Sequence, residues 1–86
     1  MSSAAAGASL AEIEASLDRY VEQHIPTGGF LRAVLANDLF SAVHKADDIN
    51  RHILPAIALA VYDRVPTAMR GSYERINDHL SRGRNL

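Results

Sequence analysis

Residues Ser9–Gly29 read SLAEIEASLDRYVEQHIPTGG, and the apolar side chains in this run recur at steps of three and four. That spacing is typical of an α-helix with one buried face. Ser9 and Glu12 have the arrangement of a capping box, which predicts that the helix begins at Ser9. Pro26 and the two glycines that close the run predict a loop, because their backbones are unsuited to a helix interior. This part of the chain therefore indicates a helical fold.

Helical spacing continues along the chain and predicts three more helices. The second begins near Gly29 and continues to about Ala46. A helix unbroken through the next segment would be about 54 Å long, whereas a compact chain of this size has a radius of gyration of about 12 Å. We therefore expect a break at residues 45–48, where Asp47 or Asp48 could cap the third helix.

The third predicted helix runs to about Arg64 and is followed by a short fourth one. Pro55 lies inside the third helix and should kink it, because proline removes a backbone donor. Ser72 is suited to cap the fourth helix, which spans Tyr73 to about Arg82. The expected fold class is all-α, a single small domain of about four helices with the third helix at its centre.

Length and composition limit what the chain can be. Its 86 residues suffice for one domain, and we expect a flexible lead-in at residues 1–8, a helical domain at 9–83 and a tail at 84–86. The chain has no cysteine, which excludes disulfides and thiolate chemistry. The longest nearly apolar run, Ile53–Tyr62, is shorter than the approximately 20 residues that span a bilayer. We expect a cytoplasmic protein without a membrane partner.

The apolar faces of the first three predicted helices should meet in one core. The residues that we expect there are Tyr20, Leu31, Leu35, Ile53, Ile57 and Val61. His24 lies on the apolar face of the first helix and is expected to be half-buried, whereas His79 is expected at the surface.

Asp38 is the most informative polar residue of the sequence. On the predicted second helix it falls among apolar positions, and an unpaired buried carboxylate would cost several kcal/mol. We therefore expect a buried Asp38 that accepts hydrogen bonds from an arginine, a tyrosine hydroxyl or the backbone amides of a turn. Asn37 is expected to bond neighbouring backbone or a partner surface. Both are interpreted as structural polar residues.

The third predicted helix is apolar over most of its circumference, and two explanations remain open. Ala58, Leu59 and Tyr62 lie on the arc opposite the main apolar face. A helix of this kind is buried on two sides. Either the other helices wrap both arcs, or the second arc forms the seam of a homodimer.

Two weak patterns suggest ligands. Thr27, Gly28 and Gly29 precede a predicted helix start, where backbone amides could hold an anion with Arg32 one turn further on; a tight interhelix turn is the simpler interpretation. His44, Asp48 and His52 would share a face only on a continuous helix, which the predicted break would prevent, so no metal or other cofactor is expected.

Charge is segregated along the chain, although the net charge is only −1. Residues 64–86 carry five arginines, among them Arg70 and Arg75, against two acids. This positive end could meet an acidic partner. A helix-turn-helix with Tyr73, Arg75 and Arg82 near DNA is a weaker alternative, because the last helix is short and the chain lacks an overall positive field.

A composite pattern adds a resemblance. It consists of YVEQHIPTGGFLRAVLANDL at Tyr20–Leu39, ADDIN at Ala46–Asn50, the dipeptide Val65-Pro66 and GSYE at Gly71–Glu74. In these segments the chain resembles a group of small uncharacterised helical proteins encoded by tailed bacteriophages and prophages. The resemblance covers roughly residues 20–80, carries over no catalytic residue and implies an accessory protein that binds a host or defence component.

These observations give one leading hypothesis and two alternatives. The leading hypothesis is a non-enzymatic phage or prophage protein that binds another protein. The first alternative is a nucleotide or other small anionic ligand at Thr27–Arg32, and the second is weak binding of nucleic acid. The residues that we expect to contact a partner or ligand are Thr27, Gly28, Gly29, Arg32, Leu59, Tyr62, Arg70 and Arg75.

Overall fold

The structure is a computed structural model that describes residues 2–84. Within them the chain is all-helical and forms one small domain with a radius of gyration of 12.6 Å. In chain order the α-helices are α1 (Ser2–Gln23), α2 (Gly29–Leu35), α3 (Leu39–Lys45), α4 (Asp48–His52), α5 (Leu54–Arg64) and α6 (Tyr73–Arg84), with one 3₁₀ turn at Thr67–Met69. The all-α class is confirmed, but four helices were too few.

Helix α1 is longer than predicted. It begins at Ser2, so the expected lead-in at residues 1–8 is helical from its second residue and Ser9 lies inside the helix. Alanine at positions 4, 5, 6 and 8 explains the difference, because alanine has the highest helix propensity. Arg84 ends α6, and the rest of the predicted tail lies outside the described residues.

The predicted second helix is two helices, α2 and α3, that meet at residues 36–38. Asn37 has a φ of 62°, in the left-handed region that asparagine tolerates better than most residues. Asp38 is the N-cap of α3, where its Oδ1 accepts a 3.3 Å hydrogen bond from the backbone N–H of Ser41. The side chains of residues 37 and 38 thus break the helix that the apolar spacing alone predicts.

The expected break near residues 45–48 is present. α3 ends at Lys45, and Asp47 caps α4 by accepting a 2.8 Å hydrogen bond from the N–H of Asn50. Pro55, however, does not lie inside a long third helix. It occupies the first turn of the separate helix α5, where its missing N–H costs no helical hydrogen bond.

The predicted start of the last helix agrees with the structure. Gly71 has a φ of 104°, and the Oγ of Ser72 accepts a 3.2 Å hydrogen bond from the N–H of Arg75. The preceding segment is tied to α2, because the N–H of Gly71 donates a 2.7 Å hydrogen bond to the carbonyl of Leu35.

One core joins α1, α2, α5 and α6. Five of the six predicted core residues are buried in it, and Ile53 is partly buried against it. The largest fully buried side chains are Tyr20, Leu17, Leu35, Ile57, Ile76 and Val65. The hydroxyl of Tyr20 donates a 2.8 Å hydrogen bond to the carbonyl of Met69, which ties α1 to the 3₁₀ turn.

The expectation for His79 is wrong, because its side chain is only 4% exposed. Its Nε2 lies 2.6 Å from the carbonyl oxygen of Tyr20, and its ring stacks on His24 with centroids 4.2 Å apart. His24 is half-buried, as expected, and its Nδ1 lies 2.8 Å from the carbonyl oxygen of His79. Both contacts reach carbonyl acceptors, so each of these nitrogens carries the proton.

Candidate functional site

Helix α5 buries one side and exposes the other. Ile57, Ala60 and Val61 face the core, whereas Leu59 and Tyr62 expose 63% and 69% of their surface. The other helices therefore do not wrap both arcs of this helix. Of the two explanations for its apolar character, the wrapped helix is wrong, and the exposed arc is available for association.

A groove separates α5 from the corner between α2 and α3. Val34, Asn37 and Ala58 line it along its length. Leu39 and Leu54 close one end. Tyr62, Arg70 and Gly71 border the other end, where the groove encloses about 280 Å³. The helix break at residues 36–38 creates this groove, because a continuous helix would not turn there.

Exposed apolar side chains of α3 stand beside the groove. Leu39 lines the groove and is 61% exposed, and the adjacent Phe40 is 87% exposed. Neither was predicted as a contact residue. On a continuous second helix Leu39 would continue the buried stripe, whereas Phe40 would lie on the opposite side of that helix. The signal that could have found them is the pair Asn37-Asp38, which is typical of a turn followed by a helix cap.

Asp38 holds the wall of the groove, but it is half-buried and not buried in the core as expected. Its Oδ2 accepts a 2.7 Å hydrogen bond from the hydroxyl of Tyr73. This bond, together with the amide of Ser41, holds the pKa of the Asp38 carboxyl below its ordinary value. The same bond raises the pKa of the Tyr73 hydroxyl. Asp38 is therefore a charged helix cap near neutral pH.

Arginines give the other end of the groove a positive charge. The Nε of Arg70 donates a 2.8 Å hydrogen bond to the carbonyl of Val65, and its guanidinium lies 5.3 Å from the centre of the Tyr62 ring. Arg75 donates through Nη1 to the carbonyls of Thr67 and Arg70. In the part of the chain that the structure describes, no carboxylate lies within ion-pair distance of Arg70 or Arg75.

The predicted anion site at Thr27–Arg32 is not assembled. Gly28 is the N-cap of α2, which has only seven residues, and Thr27 bonds the carbonyl of Gly28. The guanidinium of Arg32 is directed to α6 instead. It donates a 2.9 Å hydrogen bond to Asn77 Oδ1 and lies 5.3 Å from the centre of the Tyr73 ring.

The other ligand patterns also fail to converge. Within residues 2–84, no group of three or more acidic or histidine side chains is arranged to hold a metal ion. His52 instead bonds the carbonyl of Asp48. The residues considered for DNA are separately engaged, since Tyr73 bonds Asp38 and Arg82 pairs with Asp78 at 3.0 Å.

Comparison of the chain with protein-family models, with curated proteins and with solved structures finds no match. Among the described helices, none is long and apolar enough to cross a membrane.

Proposed function

We propose that this protein acts non-catalytically by binding another protein through the groove between α5 and the α2–α3 corner. The observation that carries the proposal is the exposed apolar surface of the groove, with Leu39 at one end and Tyr62 at the other. Large side chains exposed together beside a concave surface are typical of a protein-binding site.

The polar groups of the groove favour binding over catalysis. Asp38 is ionised and committed to capping α3 and to Tyr73, so it is a poor proton donor or acceptor near neutral pH. Asn37 has an amide side chain, and the guanidinium of Arg70 is only a hydrogen-bond donor. These groups are suited to orient a bound segment.

The charge of the groove suggests what occupies it. Arg70 borders the end beside Tyr62, and Arg75 lies directly behind it. A segment that combines apolar side chains with a carboxylate would fill the groove and pair with Arg70. We therefore specify the occupant as an acidic, partly apolar segment of a partner protein.

The biological setting that we propose is a phage or prophage accessory protein in the cytoplasm of a bacterial host, with a host or defence protein as the partner. Its support is the sequence pattern that contains IPTGGFL at residues 25–31, NDL at 37–39 and GSYE at 71–74. The groove is built from two of these segments, because Asn37 and Leu39 line one wall and Gly71 borders one end.

Affinity capture from a bacterial lysate with two matched variants tests the proposal. Leu39→Glu places a charge in the groove, whereas Leu59→Glu makes the same change on an equally exposed leucine outside it. We expect a captured protein to be retained by the wild type and by Leu59→Glu and to be lost with Leu39→Glu. Equal capture by all three proteins would contradict the groove as the binding site.

Panning a pool of random short peptides tests the chemistry of the occupant. We expect the enriched peptides to combine Asp or Glu with apolar residues, and to bind Arg70→Gln at least tenfold more weakly than the wild type. Enrichment of basic peptides, or binding that is insensitive to Arg70→Gln, would overturn the acidic segment. Circular dichroism of Arg70→Gln checks that this variant folds.

A further inference from the structure

The two ends of the groove differ in size and in charge. The end closed by Leu39 and Leu54 is a mainly apolar depression of about 120 Å³, which Ala42 also lines. An apolar cavity of about 150 Å³ holds a benzene ring, so this depression has room for one aliphatic side chain. The end bordered by Tyr62 and Arg70 is larger, at about 280 Å³, and carries the charge of the arginine.

Arg70 is held in place while its terminal nitrogens remain free. Its Nε donates a 2.8 Å hydrogen bond to the carbonyl of Val65, and its guanidinium lies 5.3 Å from the centre of the Tyr62 ring. Within residues 2–84, its Nη1 and Nη2 make no hydrogen bond or ion pair. Two such donors match the two oxygens of a carboxylate, and a side chain that is already fixed loses less entropy on binding.

The acids around the groove direct a bound carboxylate to the same end. Asp38 borders the apolar depression and is ionised, so it would repel a carboxylate placed there. Asp63 and Glu74 follow Tyr62 and Tyr73 along the chain, but both are exposed and neither lines the charged end. Neither lies within ion-pair distance of Arg70. A carboxylate in the groove would therefore meet Arg70 first.

The walls of the groove favour a helical occupant. The described residues contain no strand, so an extended peptide would find no edge strand to pair with. The N–H groups of Asn37, Asp38 and Gly71 already donate to carbonyls of the chain. An extended segment would leave its own backbone groups unpaired in an apolar groove, which costs free energy, whereas a helix bonds its backbone internally.

Helix α5 sets the distance between the two ends. It contributes Leu54 and Ala58 to the depression, and Ala58, Val61 and Tyr62 to the charged end. The middles of these two sets lie about four residues apart, which is about 6 Å along a helix. Side chains four positions apart on a partner helix are separated by the same distance and lie on one face.

We propose that the groove binds an amphipathic helix of the partner protein. An aliphatic side chain of this helix fills the depression beside Leu39, and an aspartate or glutamate four positions away binds the Nη1 and Nη2 of Arg70. This inference rests on the proposed function, because it specifies the form of the segment that the groove binds.

Two peptides of identical composition test the helical form. Each is an alanine- and glutamine-based helix of about 20 residues, long enough to be helical alone, with one Leu and one Glu that are four positions apart in the first and two apart in the second. Positions two apart lie on opposite sides of a helix but on the same side of an extended chain. By NMR titration, we expect the first peptide to bind at least tenfold more tightly. Equal or tighter binding of the second peptide, or no binding of either, overturns the helical occupant.

Variants of the protein test the two contacts separately. Arg70→Gln should weaken the first peptide about tenfold and leave the same peptide with Gln in place of Glu unchanged. Ala58→Leu fills the depression and should weaken both peptides at least tenfold, whereas Ala15→Leu makes the same change on the exposed surface of α1 and should have no effect. Equal weakening of both peptides by Arg70→Gln overturns the contact between Arg70 and the carboxylate.

The lysate capture separates a wrong occupant from a wrong site. If Leu39→Glu abolishes capture but the peptides show no preference for the four-residue spacing, the groove is the binding site and the helical occupant is wrong. If Leu39→Glu captures the same protein as the wild type, the groove itself is wrong.

Discussion

Tyr73 donates a 2.7 Å hydrogen bond to Asp38 Oδ2, and this bond joins the first residue of α6 to the N-cap of α3. The carboxylate serves two elements at once, because its other oxygen accepts from the N–H of Ser41. The bond crosses 35 positions of the chain. It therefore fixes the α2–α3 corner, and with it one wall of the groove, against the C-terminal helix.

The first prediction concerns the coupling between these two residues. Asp38→Ala should lower the denaturant midpoint more than Tyr73→Phe, because alanine removes the helix cap as well as the acceptor for the hydroxyl. Once Asp38 is replaced, Tyr73→Phe should have little further effect. Denaturant unfolding of both single variants and the double variant measures this coupling. If the loss of stability in the double variant equals the sum of the losses in the two single variants, Asp38 and Tyr73 do not share a stabilising bond.

The second prediction is a pH dependence of the same carboxyl. Hydrogen bonds lower its pKa in the folded protein below the ordinary 3.8, so the ionised form binds its partners more strongly in the folded state. The resulting stability is present above about pH 5 and is lost as the pH falls through the folded pKa. The stability advantage of the wild type over Asp38→Asn should therefore shrink on acidification. If the difference in stability between the wild type and Asp38→Asn stays constant from pH 6 to pH 2.5, the lowered pKa of Asp38 is not its cause.

The sequence predicted the fold class and most of the core because both depend on local spacing. Tyr20, Leu31, Leu35, Ile57 and Val61 repeat at helical intervals, and all five are buried. The break before α4 was predictable from compactness, because an unbroken helix would be about 54 Å long, and an aspartate stands where it can cap the next helix.

The groove was harder to predict because it depends on competition between two local preferences. The apolar stripe around Asp38 favours a continuous helix, whereas Asn37 and Asp38 favour a turn and a cap, and the second preference prevails in the structure.

The burial of His79 could not be predicted for a different reason. Its partners, Tyr20 and His24, lie 59 and 55 positions away, and spacing within one helix carries no information about them.

The third prediction uses the buried hydroxyl of Tyr20. Burial raises the pKa of Tyr20 to about 12, and the hydroxyl donates to the carbonyl of Met69. Tyr20→Phe should cost about 1 kcal/mol at neutral pH, because that carbonyl loses its partner. A raised folded pKa gives stability that is complete below pH 10 and is lost as the pH rises towards 12. In denaturant unfolding, the difference in free energy of unfolding between the wild type and Tyr20→Phe should therefore have its full value below pH 10 and become smaller above pH 10.

The fourth prediction concerns the close approach of α6 to the end of α1. Gly83 lies on α6 where a side chain would collide with the Cβ of His24 and come within 2.9 Å of its Cγ. In an open helix, Gly→Ala gains up to about 1 kcal/mol, but overpacking of a tight contact costs about 1–3 kcal/mol. Gly83→Ala should therefore destabilise the protein by about 1 kcal/mol. Gly29→Ala is the control, because Gly29 also lies in a helix and its added Cβ would come no closer than 3.8 Å to the side chain of Lys45.

Replacing His24 should reverse the sign of that effect. His24 has a φ of 57°, which glycine adopts without strain, and His24→Gly removes the side-chain atoms with which the methyl group added by Gly83→Ala would collide. The single change His24→Gly should still destabilise the protein, because the stack on His79 and the bond to its carbonyl are lost. In this background, Gly83→Ala should become neutral or stabilising by up to about 1 kcal/mol, since only the gain in helix propensity remains. Thermal unfolding of the four proteins in this cycle measures the difference. If Gly83→Ala destabilises both backgrounds equally, the packing of α6 on His24 does not limit this position.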